Sequence, residues 1–362
     1  MMRTAAATMR AVEVPATMRA VEVPRVGDAS VLRVVAARVP TIAADQCLVR
    51  NRYAGLNFID TYHRSGLYTR NLPFVAGQEG GGVIVAVGAR AAERGAKVGN
   101  RVVYGSTFGS YAEYTAVPYD DTLDVPHDVS LEVATALCVQ GLTAHYLTSD
   151  AHCGAATGST APVVVVHAAA GGTGALLVQL AHHRGMRVIA TASSEAKRAH
   201  ARECGAAAAL SYDAFAEAAH GGGSAAVLAA ACIDPNDDGV RCVFDGVGHA
   251  THAASLAALG VRGCAVFFGN ASGPVPPIDP LALVARSLIM TRPKLPDFVR
   301  TRSELTARGA ELFSAVRKGS LKVHLDRRFD LDDAAEAHRY IAAGATAGKV
   351  LFDVAEFECG AA

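Results

Sequence analysis

The residues best placed to do chemistry lie in one stretch, Val163 to Lys197. Four β-branched residues, Val163 to Val166, read as a buried strand. Ala169-Ala170-Gly171-Gly172-Thr173-Gly174 follow at once, then an apolar helix from Ala175 to His183 and a second buried strand, Arg187 to Thr191. A glycine-rich turn between a strand and a helix, inside a βαβ unit, cradles the phosphates of a dinucleotide. Ala169 stands at the first glycine position and makes the turn if its φ stays negative. Gly171 leaves the backbone bare for the pyrophosphate, and Gly174 permits close packing of helix on strand. The amides at the helix start then face the phosphates.

The same stretch discriminates between cofactors. NAD sites place an acid at the end of the second strand, on the ribose 2′-hydroxyl. Here that strand ends Ala190-Thr191-Ala192-Ser193-Ser194 with no acid. Glu195 falls in the first turn of the next helix, where capping explains it. Lys197 follows within reach of a 2′-phosphate. One charge-assisted contact is worth roughly 1.5–3 kcal/mol, so Ser193 and Lys197 favour NADPH.

Composition limits the other classes. The chain has 362 residues and is 51% hydrophobic, which suits two domains. Lys+Arg and Asp+Glu are both 34, so net charge gives no case for nucleic acid or a membrane surface. No apolar run is long enough to span a bilayer. Eight scattered cysteines without a C-x-x-C read as reduced thiols, and cytoplasmic localisation is expected.

An exact tandem repeat, ATMRAVEVP, covers Ala7–Pro15 and Ala16–Pro24. The second copy leads into the first strand region, so residues 1–17 read as a disordered appendage. Short strands punctuated by glycine follow, at Ala20–Val23, Leu32–Ala36, Cys47–Tyr53, Gly82–Val87, Arg101–Tyr104 and Tyr111–Val117, suggesting a small β-barrel-like domain. Leu131–Ala151 reads as two helical segments separated by Gly141. After the βαβ unit, strands and helices alternate through Cys264–Phe268, with the alanine- and glycine-rich Phe215–Ala231 helical in parts, the pattern of a doubly wound parallel sheet. Asp297–Lys318 reads as one long helix, Leu331–Ala343 as another and Lys349–Val354 as a last strand. That strand needs an edge, and the first domain offers one.

With these elements in place, the chain resembles the medium-chain dehydrogenase/reductase superfamily, and within it the zinc-free quinone oxidoreductases related to zeta-crystallin. The resemblance rests on Gly55 to Tyr62, Arg64 to Tyr68, Gly77-Gln78-Glu79, Gly141 to Ala144, His167 to Gly172, Phe244 to Gly248, Phe268 to Gly273 and Thr291-Arg292-Pro293. It runs in order from about Met18 to Phe352. It implies an α/β protein with a GroES-like β-rich catalytic domain, residues 18–141 and 292–362, around a Rossmann NADPH-binding domain, residues 142–291. It also implies a homodimer, formed through the strand near Cys264–Phe268 if that strand is the sheet edge.

Zinc dehydrogenases of the superfamily carry Cys where Asn57 stands and His where Gln78 stands. Neither residue here is a normal zinc ligand, so a zinc-independent reaction is expected. A simple ketone needs a Lewis acid to hold the developing alkoxide. A quinone gives a delocalised anion that hydrogen-bond donors can stabilise. The resemblance places the loop Asn57–Tyr68 beside the nicotinamide, with Asn57, Tyr62 and Tyr68 as catalytic candidates. It adds Thr143, Ala170 to Gly174, Tyr212, Gly246, Val247, Phe268, Gly269, Asn270, Arg292 and Lys349 to the cofactor contacts. Two features depart from the family: Gln140 stands where many relatives have Lys, and Gly221–Gly239 reads as a longer, turn-rich surface insertion.

The function expected is NADPH-dependent quinone reduction. The alternative in the same class is reduction of an alkenal, an enone or an enoyl thioester. A structural or RNA-binding role is the third possibility, and the balanced charge opposes RNA.

Overall fold

The computed structural model describes residues 14–151, 161–234 and 239–356. The first copy of the tandem repeat falls largely outside them, as do residues 235–238 of the proposed insertion. The second copy forms the strand Thr17–Val23, which pairs antiparallel with Arg33–Arg38 and with Phe74–Val75.

A second, seven-stranded sheet carries the catalytic domain. Its central strand Gln46–Leu56 pairs with Glu79–Val87, Tyr114–Pro118 and the terminal strand Lys349–Asp353. The C-terminal part of the chain therefore returns to the first domain, and Leu325–Asp330 lies outside it as the edge.

Six parallel strands form the other domain, in the order Ala208–Leu210, Arg187–Thr191, Val163–Val166, Val240–Asp245, Leu259–Phe267, Ile289–Thr291. The direction of winding switches between Val163–Val166 and Val240–Asp245. Ligands bind at the carboxyl ends of strands at such a switch. Val163 to Val166 are all fully buried, as a central parallel strand covered on both faces must be.

Four readings need correction. Gly141 does not divide the helix, which runs unbroken over Leu131–Ser149. A Cβ at Gly141 would stand 2.6 Å from Leu137 Cδ1 and 3.4 Å from Leu312 Cδ1, so the glycine makes room for side chains closing over it. Asp297–Lys318 is not one helix: a 3-10 turn at Leu295–Phe298 precedes a helix over Arg302–Arg317, started by a Thr301–Glu304 capping box. The helix expected in parts of Phe215–Ala231 is present as Tyr212–Ala230, kinked at Gly223 (φ 62°), so the stretch from Gly221 to Ala230 is not a turn-rich surface insertion: Val227 and Leu228 anchor it in the core. Finally, Leu259–Phe267 is not the sheet edge. Ile289–Thr291 pairs outside it and takes that place.

Candidate active site

The glycine-rich turn begins where Val163–Val166 ends. Its left-handed residue is Ala168, with φ 51°, while Ala169 keeps the negative φ expected of it. Tyr212 holds this residue, its hydroxyl accepting from the Ala168 N–H at 3.1 Å. Gly171 caps the helix Gly172–His183 without a side-chain acceptor. A Cβ at Gly174 would lie 2.2 Å from the Ala168 carbonyl oxygen, so only glycine lets the helix start so close to the turn. At Gly171 the nearest atom would be 3.3 Å away. Asp245 shapes the adjoining wall: its Oδ1 accepts from the N–H groups of Val247 and Gly248 at 2.8 and 2.9 Å, which fixes the Gly246-Val247 turn.

The other end of the site is built by the catalytic domain. Asn57 precedes the helix Phe58–Ser65, and its N–H donates to Asp60 Oδ2 at 2.8 Å. Its amide is held on both sides. Asn57 Nδ2 donates to Glu79 Oε2 at 2.7 Å, and its Oδ1 accepts from Lys349 Nζ at 2.9 Å. Lys349 also donates to Glu79 Oε2 at 2.5 Å and to the Leu56 carbonyl at 3.2 Å, while Glu79 Oε1 accepts from the Val139 N–H at 2.6 Å. Lys349 and Glu79 are 1% and 0% exposed, so this ion pair is sealed from water.

Tyr62 and Tyr68 reach across to the nucleotide domain. The Tyr62 hydroxyl accepts from the Asn270 N–H at 2.8 Å. Burial pushes its phenol up to about 12, so it remains protonated. The Asn270 amide satisfies both its atoms when its oxygen accepts from Tyr68 OH at 3.2 Å and Arg292 Nη2 at 3.0 Å, and its nitrogen donates to the Gly269 carbonyl at 2.9 Å. Arg292 Nη1 donates to the Phe267 carbonyl at 2.7 Å. Arg292 thus ties the nucleotide sheet to Tyr68.

One cavity of about 1160 Å³ joins these two ends. Of the residues singled out from the sequence, Asn57, Tyr62, Tyr68, Thr143, Ala170 to Gly174, Ser193, Lys197, Tyr212, Gly246, Val247, Phe268, Gly269 and Arg292 line it. Asn270 and Lys349 do not; they stand behind it, Asn270 on the tyrosines and Lys349 on Asn57. Lys197 Nζ donates to the Gly344 carbonyl of the opposite domain at 2.6 Å, and burial lowers its pKa.

Sequence reasoning missed His63, Phe108 and Tyr146 in the same wall. Burial lowers the His63 imidazole, helped by the charge of Arg70. Tyr146 lies three residues after Thr143 on one helix, a spacing that places both on one face and was readable. His63 and Phe108 meet edge to face at 5.0 Å from separate segments, a contact no local pattern announces.

Comparison with known proteins agrees with this architecture. Residues 43–127 match the alcohol dehydrogenase GroES-like domain, and residues 172–314 match the family described as zinc-binding dehydrogenase. A probable quinone oxidoreductase of Schizosaccharomyces pombe is 41% identical over 328 residues, covering 90% of this chain and 94% of the relative. A mycobacterial structure complexed with NADPH is 41% identical with TM-score 0.83, covering 92% of this chain and 99% of that one. The Escherichia coli quinone oxidoreductase complexed with NADPH is 33% identical with TM-score 0.82, at the same coverages. A 2-haloacrylate reductase structure is 32% identical with TM-score 0.76. The chain belongs to the quinone oxidoreductase family of the medium-chain dehydrogenases/reductases.

Proposed function

We propose that this protein reduces quinones with NADPH in the cleft between its domains, without zinc. The observation that carries this reading is the single cavity running from the uncapped helix start at Gly172 to the hydroxyls of Tyr62 and Tyr68. The residues fit a dinucleotide. The first-turn amides have no side-chain acceptor, and Gly174 admits the tight turn. Ala170 to Gly174 and Thr143 hold the phosphates. Ser193, Lys197 and Tyr212 form the end that takes the 2′-phosphate, and Lys197 exchanges the Gly344 carbonyl for it. Gly246, Val247, Phe268 and Gly269 form the wall at the reacting end.

Bound NADPH supplies a hydride. The protein orients the acceptor and stabilises the charge that develops on its oxygen. Tyr68 and Arg292 are the donors nearest that end, and Tyr62 stacks its ring against the acceptor. Solvent supplies the proton that completes the hydroquinone. The zinc-free reading is supported by Glu79, whose two oxygens are taken by Val139, Asn57 and Lys349. Asn57 and Gln78 offer only neutral amides beside it.

A homodimer is part of the proposal, through the edge strand Ile289–Thr291. Ile289 and Met290 are exposed there, as are nearby Leu281 and Val284. Among the described residues no helix is long and apolar enough to cross a membrane; a cytosolic location follows from the reading of the cysteines. The test is NADPH consumption against benzoquinone, naphthoquinone, an enone and 2-chloroacrylate. Reduction of the quinones is expected. Turnover of the alkenes alone would reject the proposal.

A further inference from the structure

Gln140 lies on the helix Leu131–Ser149 and is 8% exposed. It lines the cavity, yet its Oε1 is buried and has no hydrogen-bond partner among the described residues. Its amide rests against the start of the phosphate-binding helix. A Cβ at Gly172 would stand 2.0 Å from Gln140 Oε1 and 2.6 Å from its Nε2. The absent side chain of Gly172 is therefore the space the Gln140 amide occupies. Next to it, the Val139 N–H is bound to Glu79, which holds Asn57. Gln140 thus stands between the phosphate turn and the reacting end.

A buried amide without a partner destabilises a fold unless something else satisfies it. We propose that Gln140 is a cofactor-contacting residue that hydrogen-bonds the nicotinamide half of the bound dinucleotide. This rests on the NADPH reading above and deepens it. Gly172 is required for the contact, since any side chain there would displace the amide from the cavity wall.

The test is calorimetric titration of wild type, Gln140→Met and Gln140→Ala with two probes, NADPH and 2′,5′-ADP, which carries the 2′-phosphate but no nicotinamide. Both variants should bind NADPH roughly 5- to 20-fold more weakly, the loss of one hydrogen bond in a closed site. Binding of 2′,5′-ADP should stay within about twofold of wild type, and the thermal midpoint of Gln140→Met should not fall, because no hydrogen bond within the protein is lost. Unchanged NADPH affinity in both variants, or equal loss for both probes, would overturn the proposal. Wild type that binds 2′,5′-ADP but not NADPH would overturn the cofactor reading itself.

Discussion

Removing the ammonium of Lys349 tests how the reacting end is held. Lys349 and Glu79 are buried, and Lys349 gives its three protons to Glu79, Asn57 and the Leu56 carbonyl. Lys349→Met keeps the volume and removes all three bonds. Glu79 is left charged in the interior with only the Val139 N–H and the Asn57 amide. Breaking a buried pair on one side costs about 3–5 kcal/mol. In a chain of 362 residues that corresponds to a fall of about 4–7 °C in thermal midpoint. Glu79→Gln removes the opposite charge and should cost a similar amount. The double variant should recover much of the loss, because no lone charge remains. The assay is a double-mutant cycle in urea, read by far-ultraviolet circular dichroism, since the chain has no tryptophan. A Lys349→Met midpoint equal to wild type would show that the buried pair contributes nothing to stability. A double variant as unstable as the sum of the singles would show that the two charges are not coupled.

Four further outcomes follow from the same geometry. Lys197→Ala should lower NADPH affinity by roughly 10- to 150-fold and leave NADH unchanged, by titration with each cofactor; equal losses would contradict the assignment. Ala168→Gly should raise stability by up to about 1 kcal/mol, measured by urea unfolding, since Ala168 sits at φ 51°. Burial pushes the Asp60 carboxyl up to about 7, so its contribution to stability is full below pH about 4 and is lost as pH rises through about 7. Asp60→Asn should flatten that fall in a midpoint-against-pH series. Burial, with the charge of Arg64, pushes His338 down to about 3, so its contribution is present above pH about 6.5 and is lost as pH falls towards 3; His338→Gln should remove that acid limb.

The glycine-rich turn proposed to hold the phosphates was legible because it is local. Strand, turn and helix follow one another within Val163–His183, and their β-branched, glycine and apolar residues state their conformations in order. The reacting end was legible only in part. Asn57, Tyr62 and Tyr68 came from one loop, but the bond between Glu79 and Lys349 joins residues 270 positions apart. No spacing rule reaches that far, and the bond from Lys349 to Asn57 was not foreseen either. Ala169 keeps the negative φ expected of it, but the left-handed residue beside it, Ala168, was not singled out, because alanine carries no signal for that conformation. The true sheet edge, Ile289–Thr291, is three residues long and follows a proline-rich segment, so it carried no strand signal.

Direct hydride transfer from NADPH to a quinone is the step proposed for this cleft. Single-turnover reduction of naphthoquinone with NADPH deuterated at the reactive C4 position, in the presence of a metal chelator, tests it most directly. Quinone-dependent oxidation of NADPH with a primary isotope effect and full activity in chelator is expected. No oxidation with any quinone, or activity restored only by added zinc, would contradict it.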